Sequence, residues 1–141
     1  MNKIYERWAR RFLAVLLAVL ALCGGIVYAV DPCLYYRMPE NRLPAFFNER
    51  YQAAGMAKNV PADTVLLGTS MAANYRAAWI EEFYGGAGLR ITIPDGYFSE
   101  FDRVVDLLFR ENPPERVLFA LDLNALIRDG GGVTDAMPEY L

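Results

Sequence analysis

Three short stretches hold the side chains that could do chemistry: Gly68-Thr69-Ser70-Met71, Pro94-Asp95-Gly96-Tyr97 and Asp122-Leu123-Asn124-Ala125. Each follows an apolar run, and in chain order they offer a serine hydroxyl, a turn glycine and a side-chain amide. A serine hydroxyl attacks an acyl carbon only when a base takes its proton. The chain has no histidine, so the commonest general base and the commonest metal ligand are both absent. Asp95, Asp122, Asp129 and Asp135 lack the compact spacing of a cation site and read as solvated loop carboxylates, so no metal and no cofactor are expected. Plain structural readings stand beside the chemical ones. Ser70 can cap a helix, Gly96 can serve the Pro-Asp-Gly turn, and Asn124 can cap the stretch Ala125 to Arg128.

The elements that must position these residues alternate. Thr64 to Gly68 (TVLLG), Leu89 to Ile93 (LRITI) and Val117 to Leu121 (VLFAL) read as strands. Between them lie a helical stretch from Arg76 to Tyr84, closed by Gly85-Gly86, and a helix opened by an S-x-x-D cap at Ser99 and Asp102. The second helix carries Phe101, Val104, Val105 and Leu108 on one face and stops at Pro113-Pro114. Strand, helix, strand, helix, strand with short connections predicts a parallel sheet, because right-handed crossovers lay the helices on its faces. LRITI alternates apolar residues with Arg90 and Thr92, as an edge strand does, whereas TVLLG and VLFAL want cover on both faces. The expected strand order is 2-1-3. Ligands in such sheets bind beyond the carboxyl ends of the strands, where the three stretches fall. Trp79, Phe83 and Tyr84, at helical spacing, read as core. Ahead of the sheet, residues 31–43 read as a stalk, and Pro44 opens a helix with Phe47, Tyr51 and Ala54 on one side before Gly55 weakens the pattern.

Phe12 to Val30 is nineteen residues without a charge, and at 1.5 Å per residue such a helix spans roughly 30 Å of hydrocarbon. Lys3, Arg7, Arg10 and Arg11 precede it, which predicts a cytoplasmic N-terminus and an extracytoplasmic remainder, with the lipid bilayer as a partner. Tyr5 and Trp8 before the run, and Tyr28, Tyr35 and Tyr36 at its far end, suit the two interfaces. A cleavable signal peptide with Val27 and Ala29 at the −3 and −1 positions is the alternative. A lipoprotein signal at Leu20-Ala21-Leu22-Cys23-Gly24 fits poorly, because Leu22 stands where a small residue is needed.

The chain carries 14 basic and 17 acidic residues. Four of the cations and one of the acids precede the apolar run, so the remainder is acidic and holds no basic patch, which excludes nucleic acid as a partner. Cys23 lies inside the apolar run and Cys33 beyond it, too far apart in depth for a mutual disulfide.

The segment VLLGTSMAANYR resembles the nucleophile block of the SGNH (GDSL-like) hydrolase superfamily, in a membrane-anchored bacterial branch, and the later stretches resemble its second and third blocks. The resemblance covers residues 31–141. It implies Ser70 as nucleophile, with the Ser70 amide, the Gly96 amide and the Asn124 side chain stabilising the oxyanion. It further implies a partial three-layer α/β (flavodoxin-like) domain over residues 61–141, after a cytoplasmic segment 1–11, a membrane helix 12–30 and a stalk and helix 31–60. The implied activity is that of an esterase or acyltransferase acting on cell-envelope polysaccharide. Two departures stand out: Thr69 replaces the usual aspartate, and the Asp-x-x-His block that supplies the base is missing. Because the third strand would otherwise leave a bare apolar edge, the chain reads as the N-terminal part of a longer protein, inactive in this form. A non-catalytic anchored module that binds a glycan or a partner protein is the competing expectation.

Overall fold

The computed structural model describes residues 3–38 and 48–122, and the chain divides after Pro32 into two compact units. The first unit is a single helix, α1, Lys3–Val30. From Ile4 to Val30 it is long and apolar enough to cross a membrane, and none of its most apolar window is buried within the protein. The apolar run accounts for its length, and the helix continues without a break through Gly24 and Gly25.

The second unit is α/β. Its elements are α2 (Glu49–Asn59), β1 (Thr64–Gly68), a 3-10 turn (Ser70–Asn74), α3 (Ala77–Tyr84), β2 (Gly88–Thr92), α4 (Phe98–Glu111) and β3 (Arg116–Ala120). The strands form one parallel sheet in the order β2-β1-β3. Leu66 lies opposite Arg90 on one side and Leu118 on the other. Both the parallel pairing and the order agree with the alternation of elements and their short connections.

One face of the sheet holds the main core. Val65, Leu67, Leu89, Ile91 and Ile93 pack with Ala53, Met56 and Ala57 of α2 and with Phe101, Val104, Leu107 and Leu108 of α4. Period-two alternation puts those strand residues on one side, and the i, i+3, i+4, i+7 stripe of α4 meets them there. Phe119 of β3 joins through an edge-to-face contact with Phe101 at 5.0 Å. The opposite face carries the 3-10 turn and α3, whose buried residues are Ala72 and Ile80.

Several expectations are corrected. Trp79 and Phe83 are not core: they are 51% and 81% exposed, and Tyr84 is exposed as well. A Cβ on Gly88 would stand 2.8 Å from the Ala77 carbonyl oxygen and 3.2 Å from the Ile80 Cβ. The glycine therefore lets α3 settle on β2 through its Ala77–Ile80 side, which turns Trp79 and Phe83 outward. Helix α4 begins before Ser99, and the side chain that closes its first turn is Glu100, which accepts the Tyr97 N–H at 2.9 Å. Helix α2 starts at Glu49, with Asn48 accepting the Arg50 N–H; Pro44 and Phe47 lie outside the described residues. Strand β3 is only half-buried, so the cover expected on both its faces is incomplete among the described residues. Thr92 does not face water either, since it is 3% exposed and donates from its hydroxyl to Glu49.

Gly55 sits in the middle of α2 for a reason the helical pattern does not reveal. A Cβ there would lie 2.0 Å from the Cys33 carbonyl oxygen and 2.7 Å from the Leu34 carbonyl carbon. The backbone of residues 33–34 crosses directly over the helix at this glycine, with Leu34 in the left-handed region (φ 59°) and its side chain buried. Asn59 donates to the Leu34 carbonyl at 2.5 Å, and Asn112 donates to the last carbonyls of α2 at Ala57 and Lys58. The Asn112 amide thereby satisfies carbonyls that the end of α2 leaves open.

Candidate functional site

At the carboxyl end of the sheet the turns after β1 and β2 follow neighbouring strands. Helix α3 leaves β1 for one face and α4 leaves β2 for the other, the arrangement that opens a crevice at the strand ends. Ser70 follows β1 directly, opens the 3-10 turn and is exposed. Thr69, not Ser70, takes the cap position, and its buried hydroxyl donates to Asp122 Oδ2 at 2.9 Å. That bond ties the end of the central strand to the end of β3. Thr69 thus anchors the turn that presents Ser70, with Asp122 as the acceptor of its hydroxyl.

Gly96 follows the neighbouring strand β2. It closes a turn in which Asp95 takes the left-handed conformation (φ 56°), and the Gly96 N–H donates to the Ile93 carbonyl at 2.9 Å. Positive φ at the third residue after a proline second residue is the type II arrangement. The amide that the family resemblance assigns to the oxyanion is therefore engaged within its own turn. Asn124, the third expected site residue, lies outside the described residues, as do Asp129 and Asp135. Among the described residues no three of His, Cys, Asp and Glu gather as a metal-binding group.

Charged residues of α2, α4 and β2 hold these turns. Arg50, 6% exposed, pairs with Glu100, 1% exposed. The same guanidinium donates to the Pro94 carbonyl at 2.7 Å, and so grips the turn that carries Gly96. One residue earlier, Glu49 accepts from Thr92 and lies 3.5 Å from Arg90. Arg90 in turn donates to the carbonyls of Ala73 and of Tyr75, the latter at 2.6 Å, across the 3-10 turn. The first turn of α2 thus reaches the turn after β2 through Arg50 and the turn after β1 through Glu49 and Arg90. A signal for the buried pair was present: Glu100 heads the stripe Glu100, Val104, Leu107, Leu108, and Arg50 heads Arg50, Ala53, Ala54, Ala57, all of them buried. A lone charge of either sign on an apolar stripe points to a buried partner.

A cavity of about 400 Å³ lies elsewhere, lined by Tyr35, Tyr36, Lys58 and Arg110 toward the last turns of α2 and α4. Those turns point to the amino end of the sheet, away from Ser70. What the strand-end arrangement can do by itself is present an exposed hydroxyl on a turn fixed from two sides. No protein-family model matches the chain, and no curated protein or solved structure matches it either.

Proposed function

We propose that this is a membrane-anchored protein that displays an SGNH-like, flavodoxin-like α/β domain on the outer side of a bacterial-type membrane, with Ser70 as an acyl-site serine directed at ester groups of cell-envelope glycans. The observation that carries this reading is the place of Ser70: exposed, at the carboxyl end of the central strand of a 2-1-3 parallel sheet. The outer location rests on Lys3, Arg7, Arg10 and Arg11, which cluster ahead of the apolar run. These 141 residues hold no histidine, so turnover by hydrolysis or transfer needs a base from elsewhere.

One observation favours the second reading, a module that binds glycan without reacting. The Gly96 amide donates to Ile93, and an oxyanion hole needs donors aimed at the developing charge. The two readings part in an ester assay. The chain as given is expected to show no Ser70-dependent hydrolysis of a small acetyl ester, because nucleophile and base act as a unit and losing one costs several orders of magnitude. A version carrying an added Asp-x-x-His block is expected to gain activity that Ser70→Ala abolishes. Failure of that gain in a folded protein overturns the catalytic reading and leaves the binding module. Activity of the chain as given, lost in Ser70→Ala, shows instead that it already holds a base.

The topology gives a separate expectation. A periplasm-active phosphatase fused after Leu141 should be active, and a fluorescent protein that matures only in the cytoplasm should stay dark at the same position. The opposite pattern overturns the orientation, and release of a shortened protein beginning near Val30 identifies α1 as a signal peptide.

A further inference from the structure

We infer that Tyr75, Arg76 and Trp79 form a stacking surface for a pyranose ring of a glycan, set beside Ser70; the inference rests on the acyl-site reading of that serine and names the residues that hold its substrate. The two rings are 52% and 51% exposed, although each is large enough to favour burial. They stand edge to face, with centroids 6.5 Å apart and planes at 85°. The Arg76 guanidinium carbon lies 5.8 Å from the Trp79 ring centroid, within cation–π range.

Continuity with the serine ties this surface to the site. Ser70 opens the 3-10 turn and Tyr75 closes it, and Arg90 holds the turn by the carbonyls of Ala73 and Tyr75. At about 2 Å of rise per residue, the turn separates the two by about 10 Å, roughly the length of two linked sugars. A glycan stacked on Trp79 and flanked by Tyr75 can thus bring a neighbouring substituted sugar to Ser70.

The chemistry of the surface selects among occupants. A pyranose ring has a face of C–H bonds and a rim of hydroxyls. Here the Trp79 face can meet the first, with Tyr75 standing beside it at 85°, while the Tyr75 hydroxyl, the indole N–H and the Arg76 guanidinium can hydrogen-bond the second. Exposed Glu81 and Glu82 on the same helix oppose an anionic lipid surface.

The test uses the full chain in lipid nanodiscs. Only two tryptophans are present, so Trp8→Phe leaves Trp79 as the sole fluorophore. The probes are N-acetylated chitotetraose and a β-linked glucotetraose. A saturable shift of Trp79 emission with at least one of them is expected. Calorimetry should show about tenfold weaker binding in Trp79→Ala and near-normal binding in Trp79→Phe, as loss of a stacking partner predicts. Absence of saturable binding to both sugars overturns the inference, as does binding unchanged in a folded Trp79→Ala protein, or an emission shift produced by lipid vesicles and not by sugar. The ester assay with Ser70→Ala reads the serine chemistry independently, so the surface and the acyl site fail separately.

Discussion

Replacing Arg50 with methionine is expected to destabilise the α/β unit by about 3–5 kcal/mol, the cost of leaving one member of a buried ion pair without its partner. Glu100 would keep its bond from the Tyr97 N–H but lose the guanidinium that pairs with it. The turn after β2 would loosen at the same time, because Arg50 also donates to the Pro94 carbonyl. Glu100→Gln tests the other half: it keeps an acceptor for Tyr97 and strands the Arg50 charge, with a loss of similar size. The double variant Arg50→Met/Glu100→Gln removes both charges and should recover more than half of either single loss. Chemical denaturation in detergent, followed by the circular dichroism of the α/β unit, measures all three. Hydrogen exchange adds a local readout, with faster exchange expected at the Gly96 amide in Arg50→Met. Additive losses in the double variant would show that the two side chains contribute independently. With a typical domain stability of about 5–15 kcal/mol, either single change uses a large part of the margin.

The second large effect is expected at Gly55. In an open helix, alanine is favoured over glycine by about 0.8–1.0 kcal/mol. Here the added methyl group would meet the Cys33 carbonyl oxygen at 2.0 Å, and the neighbour is backbone, which cannot rotate away. Gly55→Ala should therefore cost about 1–3 kcal/mol or more, reversing the sign that helix propensity dictates. It should also expose Leu34, which the crossing segment buries, and lengthen the Asn59 contact to the Leu34 carbonyl. Gly25→Ala is the control, because nothing lies within 4 Å of a Cβ there. Equal thermal midpoints for Gly55→Ala and the parent chain would refute the backbone crossing.

Much of the architecture was determined by sequence alone, because its causes are local or topological. Nineteen uncharged residues from Phe12 to Val30 make a helix of membrane length whatever surrounds them. Short connections between TVLLG, LRITI and VLFAL leave parallel pairing as the outcome, since right-handed crossovers admit little else. The alternation in LRITI placed β2 at an edge, and the observed order agrees. Ser70 at the end of the central strand follows from the same reasoning.

What only the tertiary structure decided were contacts between residues far apart in the chain. Arg50 and Glu100 lie fifty residues apart, and only the meeting of their two helix stripes pairs and buries them. Gly55 looked like a weak point in a helix, and became a requirement once the backbone of residues 33–34 crossed it. The outward turn of Trp79 and Phe83 depended on how α3 rotates over Gly88, a choice that eight residues with apolar groups on every side do not make by themselves. Periodicity states which residues share a face. The neighbour available to cover that face decides whether it is core or surface, and here the Ala77–Ile80 side won because a glycine let it come closer to the sheet.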